Sequence, residues 1–211
     1  MSILSQLACA QNTNSEVPNQ ELARKLAEAQ EAEGIRELAE NLWNRDSAIA
    51  NDCIKALYEI GYLNPALIAP YALDFLKLLR STNNRLVWGG MIALATVAAL
   101  RADDLFPHAA DIQKTMDKGS VITVDAGVLA LAGIAAAKPE YNRSIFPYLL
   151  NHLRTCRPKE VPQHAEKTLP AVNAANQAEF IAVIAARLDN ATPSQLARLK
   201  RVIKQAQKAG N

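Results

Sequence analysis

Apolar residues in this chain follow a helical period, and the pattern itself recurs. The segments CIKALYEIG (53–61), GMIALATVA (90–98) and GVLALAGIA (127–135) superpose without a gap at steps of 37 residues. Ala56, Ala93 and Ala130 share one column, Leu57, Leu94 and Leu131 the next, and Ile60, Val97 and Ile134 follow three positions on. Small and large apolar residues at i, i+1 and i+4 form one stripe of an α-helix, so these positions are expected to be buried. A second block follows each first one: IAPYALDFLKLLR (68–80), LFPHAADIQKTMD (105–117) and IFPYLLNHLRTCR (145–157). Pro70, Pro107 and Pro147 align, and proline suits a first helical turn, where its missing N–H has no intrahelical partner. The pattern therefore predicts units of helix, short turn and proline-started helix. Neither helix buries its stripe alone, and stacking successive pairs solves that.

Units 47–84, 85–120 and 121–158 carry the repeat clearly, and weaker copies flank them at 19–46 and 159–211. Upstream, Leu22, Leu26 and Ala29, then Ile35, Leu38 and Leu42, predict a helix pair broken near Gly34. Downstream, HAEKTLPAV (164–172) and Phe180–Leu188 predict another. The last segment opens with Thr192 as N-cap, Pro193 at the first helical position and Gln195 completing a capping box. It turns Leu196, Leu199, Val202 and Ile203 inward and Arg198, Lys200, Arg201, Lys204 and Lys208 outward, as a terminal helix of an open stack requires. Residues 1–18 read as a tail or short helix before a single helical-repeat domain over 19–211.

Composition narrows the class further. The chain holds 38 Ala and 26 Leu but 11 aromatic residues, which favours helices over strands and excludes a β-sandwich or barrel. No run of about 18 uninterrupted apolar residues is present, so no membrane span is expected. Residues 1–60 carry 10 acidic and 5 basic side chains, and residues 61–211 carry 11 and 18, so the net +2 is unevenly spread. Cys9, Cys53 and Cys156 are odd in number and far apart, which fits a reducing, cytoplasmic setting better than a disulfide framework.

These blocks resemble HEAT repeats of the armadillo-like class. The carriers are the proline at the second helix and the Ala-Leu-x-x-Ile/Val end of the first, over residues 47–158. The resemblance implies an all-α, right-handed α-α superhelix, a solenoid of about four to five helix pairs. It departs from the family where Arg often follows an aliphatic residue early in the first helix: Ala50, Val87 and Val124 stand there. The Asp partner survives at most as Asp46, so an inter-repeat Asp–Arg ladder is not expected. Stacks of this family mostly bind other macromolecules, which is what the resemblance implies for function.

The second helices repeat more than their cores. After each aligned proline comes Tyr71, His108 or Tyr148; three residues later Asp74, Asp111 or Asn151; three later again Lys77, Lys114 or Arg154. Steps of three place each set on one helix face, offset from the apolar positions. Stacked, they would form aromatic, acidic and basic columns, here the candidate partner-binding residues. Asp three residues before Lys also describes an ordinary surface pair. His152 and Cys156 lie four apart, with His164 eight further on, but no fourth ligand is apparent and no CxxC exists. The expectation is no metal, with a buried Cys156 and surface histidines at a helix end.

There is no GxSxG, Walker loop, GxGxxG or HExxH, so neither an enzyme nor a cofactor is expected. Gly89-Gly90 reads as close helix packing, Asp103-Asp104 as support for a following helix N-terminus, and Trp43 and Trp88 as inter-helix packing. The leading expectation is a scaffold that binds a protein or peptide on the concave face of a short solenoid. One alternative is a DNA-binding HEAT-like protein related to alkylpurine DNA glycosylases, for which the basic surface is thin. The other is a structural subunit of a homo-oligomer that sets its acidic end against its basic end.

Overall fold

The structure, a computed structural model, describes residues 2–189 and 191–209, and among these every regular element is helical. The chain divides into two compact units, residues 1–127 and 128–211.

In the first unit, α1 (Val17–Ala29) and α2 (Ala32–Glu40) form the leading pair. Then α3 (Ser47–Leu63) is followed by two 3-10 turns and α4 (Ala72–Leu78), and α5 (Asn84–Val97) by the single turn α6 (Ala102–Leu105), a 3-10 turn and α7 (Ala109–Lys118). The long α8 (Val121–Ala137) begins in this unit and carries the chain into the next. The first helices stack side by side, α3 lying between α1 and α5, while α4 packs on α5. Ala56, Leu57, Leu94 and Val97 are completely buried, as are Ala130, Leu131 and Ile134 further on, so the aligned columns are core. A methyl group added at Gly89 would lie 2.8 Å from Ile54 Cγ1 on α3, and one at Gly90 would lie 3.0 Å from Leu78 Cβ on α4. The glycine pair is the contact point of three helices.

In the second unit, α9 (Pro139–Thr155), α10 (Val161–Thr168), α11 (Gln177–Ala185) and α12 (Pro193–Ala209) follow α8. Here α9 packs on α10 and α11, and α12 covers α10 and α11. The predicted capping box starts α12: Gln195 N–H donates to Thr192 Oγ1 at 3.4 Å, and Thr192 N–H to Gln195 Oε1 at 2.9 Å. Leu199, Val202 and Ala206 are buried, while Leu196 and Ile203 are half-buried.

Two expectations need correction. Pro70 and Pro107 lie in 3-10 turns ahead of α4 and α7, but Pro147 lies inside α9, which starts eight residues earlier at Pro139. The ring sits on an exposed position, where the lost backbone hydrogen bond leaves a carbonyl that water can reach. Trp43 is 53% exposed rather than packed, because the 3-10 turn 41–43 gives the inward position to Leu42.

Asp46 caps α3 by accepting from Ala48 N–H at 2.8 Å. Asparagines bridge the elements. Asn83, the cap of α5, donates through Nδ2 to Asn51 Oδ1 on α3 at 2.9 Å. In the second unit buried Asn142 donates to Ala171 O at 2.7 Å and accepts from Asn176 Nδ2 at 2.9 Å. Lys55, 5% exposed, is a buried cation whose ammonium meets Glu16 at 2.8 Å and Glu59 at 2.7 Å over the face of Tyr58. Burial alone would lower its pKa, but the hydrogen bonds to Glu16 and Glu59 outweigh burial and raise it.

Two measurements follow from these contacts. Asn142→Ala removes the hydrogen bonds with Ala171 and Asn176 but leaves the Ala171 carbonyl its second donor, Asn176 Nδ2 at 3.0 Å, so it should cost about 0.5–1.5 kcal/mol in urea unfolding, with the slope unchanged. The second concerns Glu166 on α10, which takes a bidentate pair from Arg198 on α12, 2.9 Å from Nε and 2.6 Å from Nη2. That hydrogen bonding holds the Glu166 carboxyl below the usual carboxylate range. A depressed carboxylate stabilises above its unfolded pKa of about 4.3 and loses that contribution as pH falls through the folded value. Both groups are more than a third exposed, so Glu166→Gln should cost no more than about 1 kcal/mol at pH 7. In melting curves the gap between the two proteins should close below about pH 4.

Candidate functional site

The aromatic, acidic and basic residues of the second helices fall in both units. In the first, Tyr71, Asp74 and Lys77 belong to α4 and the turn before it, and His108, Asp111 and Lys114 to the equivalent turn and α7. Tyr71, Asp74, His108 and Asp111 are half-buried, and Lys77 and Lys114 are exposed. Asp74 pairs with Lys77 at 2.9 Å, the ordinary surface pair. Asp111 instead takes Arg80 Nη2 at 3.1 Å, joining the end of α4 to α7, and lies 3.8 Å from His108 Nδ1.

Between these helices runs a groove of about 490 Å³. Leu76, Leu79 and Val87 give it apolar walls, and Arg80, Lys114, Lys118 and Asp111 are its charged residues. Three cations thus stand against one carboxylate, and that carboxylate is already paired with Arg80. Among the described residues, Lys114 and Lys118 form no ion pair. The opposite sign lies on α2, where Glu31, Glu33, Glu37 and Glu40 surround a shallow recess with a single cation, Arg36. Tyr71 stands within reach of both regions: burial raises its phenol pKa, Arg36 opposes this, and Glu40, Glu33 and Asp74 add to it.

The third set sits in the second unit. Tyr148 is half-buried, Asn151 and Arg154 are exposed, and Arg154 pairs with Glu179 on α11 at 2.8 Å. Arg187 donates to the Arg154 carbonyl and, at 2.6 Å, to the Cys156 carbonyl, fixing the end of α9.

That end of α9 brings together the three residues weighed in the sequence for a metal, where none was expected. His152, Cys156 and His164 bring their donor atoms within 4.8 Å of one another. His164 is 2% exposed, not a surface residue, while His152 and Cys156 are half-buried. The signal was present: Val161, His164, Ala165 and Thr168 fall at i, i+3, i+4 and i+7, which puts His164 on the buried stripe of α10.

A fourth feature is a polar recess of about 550 Å³ under the N-terminal segment. Ala8 N–H donates to Asn19 Oδ1 at 3.0 Å and Cys9 N–H to Asp52 Oδ2 at 2.7 Å, holding the segment on α1 and α3. None of the three thiols is activated. Burial, reinforced by Asp52, pushes Cys9 up to about 11, and burial pushes Cys53 up to about 12 and Cys156 up to about 11. Thiols held that high are poor nucleophiles at neutral pH.

The fold is that of an armadillo-like helical repeat. A designed armadillo repeat protein matches with TM-score 0.67 and 18% identity, covering 99% of this chain and 100% of that one. Computationally designed armadillo repeat proteins for modular peptide recognition match with TM-score 0.67 and 16% identity, over 99% and 98% of the two chains. A designed armadillo repeat protein in complex with the peptide (KR)4 matches with TM-score 0.65 and 18% identity, over 91% and 87%. No protein-family model matches the chain, and neither does any curated protein. No helix among the described residues is long and apolar enough to cross a membrane.

Proposed function

We propose that this chain is a non-enzymatic binding module that takes an extended peptide or protein segment on its second-helix face. The groove between α4, α5 and α7 is its anchoring point. The observation that carries the reading is the pairing of apolar walls (Leu76, Leu79, Val87) with two lysines, Lys114 and Lys118, that have no ion-pair partner. An apolar side chain flanked by carboxylates satisfies both at once. Burial of the side chain supplies affinity, and the lysines fix register and speed encounter. His108, 3.8 Å from the groove residue Asp111, offers a ring suited to packing on a peptide side chain, as does the half-buried Tyr71 one repeat earlier.

Charge selects the peptide. The groove side of the first unit favours acidic residues, and the α2 side favours basic ones. A partner with an acidic block, an aliphatic or aromatic anchor and a basic block fits both ends. The (KR)4 peptide of the designed neighbour would meet repulsion at the groove and attraction only near α2. In the second unit Tyr148, Asn151 and Arg154 make a separate contact patch, testable on its own.

The test uses two labelled peptides of identical composition, one with its charges segregated about a central Leu and one scrambled. The segregated peptide should bind more tightly, and the difference should shrink with added salt, since exposed charges are screened beyond about 8 Å at physiological ionic strength. Lys114→Glu combined with Lys118→Glu should abolish that preference while shifting stability by less than about 1 kcal/mol. Equal binding of the two peptides, or a preference that survives the double reversal, would overturn the groove as anchor. Tighter capture of duplex DNA than of either peptide would replace the reading with nucleic-acid binding.

A further inference from the structure

We propose that His152, Cys156 and His164 form a three-ligand site for a divalent zinc-class ion, which clamps the end of α9 to α10. The inference is independent of peptide binding and lies wholly within the second unit.

The donors come from two elements that the fold already holds together. His152 is on the last turn of α9, and Cys156 caps that helix, its backbone N–H bonding to His152 O at 2.8 Å. One helical turn between them puts imidazole and thiol on the same side. After the turn 157–160, α10 returns His164 against the same point. His152 Nε2 and His164 Nδ1 stand 2.9 Å apart, with ring centroids 4.8 Å apart, and the Cys156 sulfur completes a group within 4.8 Å.

The two ring nitrogens share a single proton at that distance, so one imidazole must accept. A metal ion would use both lone pairs. Tetrahedral zinc, with bonds of about 2.0–2.1 Å to nitrogen and about 2.3 Å to sulfur, needs its nitrogens about 3.3 Å apart and its sulfur about 3.6 Å from each. The rings therefore separate by a few tenths of an ångström and the thiol swings in by at most about 1.2 Å, movements within side-chain rotation. Arg187 holds the Cys156 backbone by its carbonyl, so the swing is confined to the side chain.

Two imidazoles and one thiolate are a borderline-soft donor set, which selects zinc, cobalt or copper over magnesium or calcium. Three protein ligands leave the fourth position for water, reached from the half-exposed His152 and Cys156 side. On binding, the Cys156 S–H proton leaves to solvent, the proton between the imidazoles moves to the far nitrogen of the ring that donated it so that both rings ligate neutral, and no electron is transferred.

The experiment uses the full chain without a histidine tag, reduced and stripped with a chelator, and titrates it with Co²⁺. One equivalent should develop both the visible bands of a tetrahedral centre and a near-ultraviolet thiolate-to-cobalt charge-transfer band. Zn²⁺ should displace it and raise the thermal midpoint, while Mg²⁺ should do neither. Because His164 is in the core, the variants are Cys156→Ser and His152→Gln, each checked by circular dichroism for unchanged helix content. Cys156→Ser should lose the charge-transfer band, and both variants should bind at least about tenfold more weakly. A stripped, folded chain that gives no saturable cobalt spectrum would overturn the site. So would a charge-transfer band that persists in Cys156→Ser, which would place the ion on another thiol.

Discussion

At Gly89 and Gly90 helix α5 comes so close to α3 and to α4 that a methyl group would sit 2.8–3.0 Å from Ile54 or Leu78. That approach is set by residue size, since van der Waals contact between carbons lies near 3.5–4.0 Å and interiors have no slack to absorb the difference. The same demand explains the small column Ala56, Ala93 and Ala130, each completely buried beside a leucine. Small residues bring the axes together, and the leucines fill the space left on either side. The helices are amphipathic only as long as a neighbour covers their stripe, so this spacing is what makes stacking favourable. Everything on the second-helix surface, including the groove at Leu76 and Leu79, depends on it. Those residues lie on α4 and the turn that ends it, and α4 is seated against Gly90.

With spacing fixed by apolar contact, register along the helices falls to a few polar pins. Asn51–Asn83 joins α3 to the cap of α5, and Asn142 holds the chain around Ala171 and Asn176. An amide withdrawn from water is costly without partners and directional with them, so half-buried Asn51–Asn83 and, more strongly, buried Asn142 favour one alignment. An amide pair does this without burying charge. Lys55 and Asp52 are exceptions: two carboxylates and a tyrosine face surround the Lys55 ammonium, and Asp52 accepts from the Cys9 N–H. Asp46 serves as a helix cap, and an Asp–Arg pair that joins successive repeats is Arg80–Asp111 at 3.1 Å, between the end of α4 and α7.

How far the sequence revealed this varies with the range of the interaction. The columns Ala56/Leu57, Leu94/Val97 and Ala130/Leu131 were legible because a stripe and its repeat are local properties. So was the Thr192–Gln195 capping box, which spans three residues. Pro147 misled because alignment with Pro70 and Pro107 suggested a helix start, whereas α9 is longer at its N-terminal end than α4 or α7. Trp43 misled because its size suggests burial, while a 3-10 turn decides which way it points. At the candidate sites the rungs could be listed, but Asp111 turning to Arg80 rather than Lys114 depends on how two helices meet. The same holds for His152 meeting His164: they are twelve residues apart, and only the return of α10 across α9 puts their nitrogens 2.9 Å apart.

The two candidate sites differ in what they ask of the fold. The groove takes its walls from the core residues Leu76 and Leu79, but its charge from side chains the core does not need: Lys114 and Lys118 stand on the outward face of α7, where replacement leaves Ile112 and Met116 packed as before. Its specificity can therefore change without altering the stack, which accords with a fold shared at 16–18% identity. The histidine–cysteine cluster is the reverse case. His164 occupies a core position, and a leucine there would satisfy packing without leaving an imidazole to be matched. With His164 buried and His152 half-buried, their contact carries one proton between two ring nitrogens and holds each ring in one arrangement, a loss of freedom that an apolar contact would not impose. Coordination offsets that loss by using both nitrogens and the thiol together. This difference in what the core would otherwise prefer, more than the short distances, is the physical ground for reading the α9–α10 corner as a site.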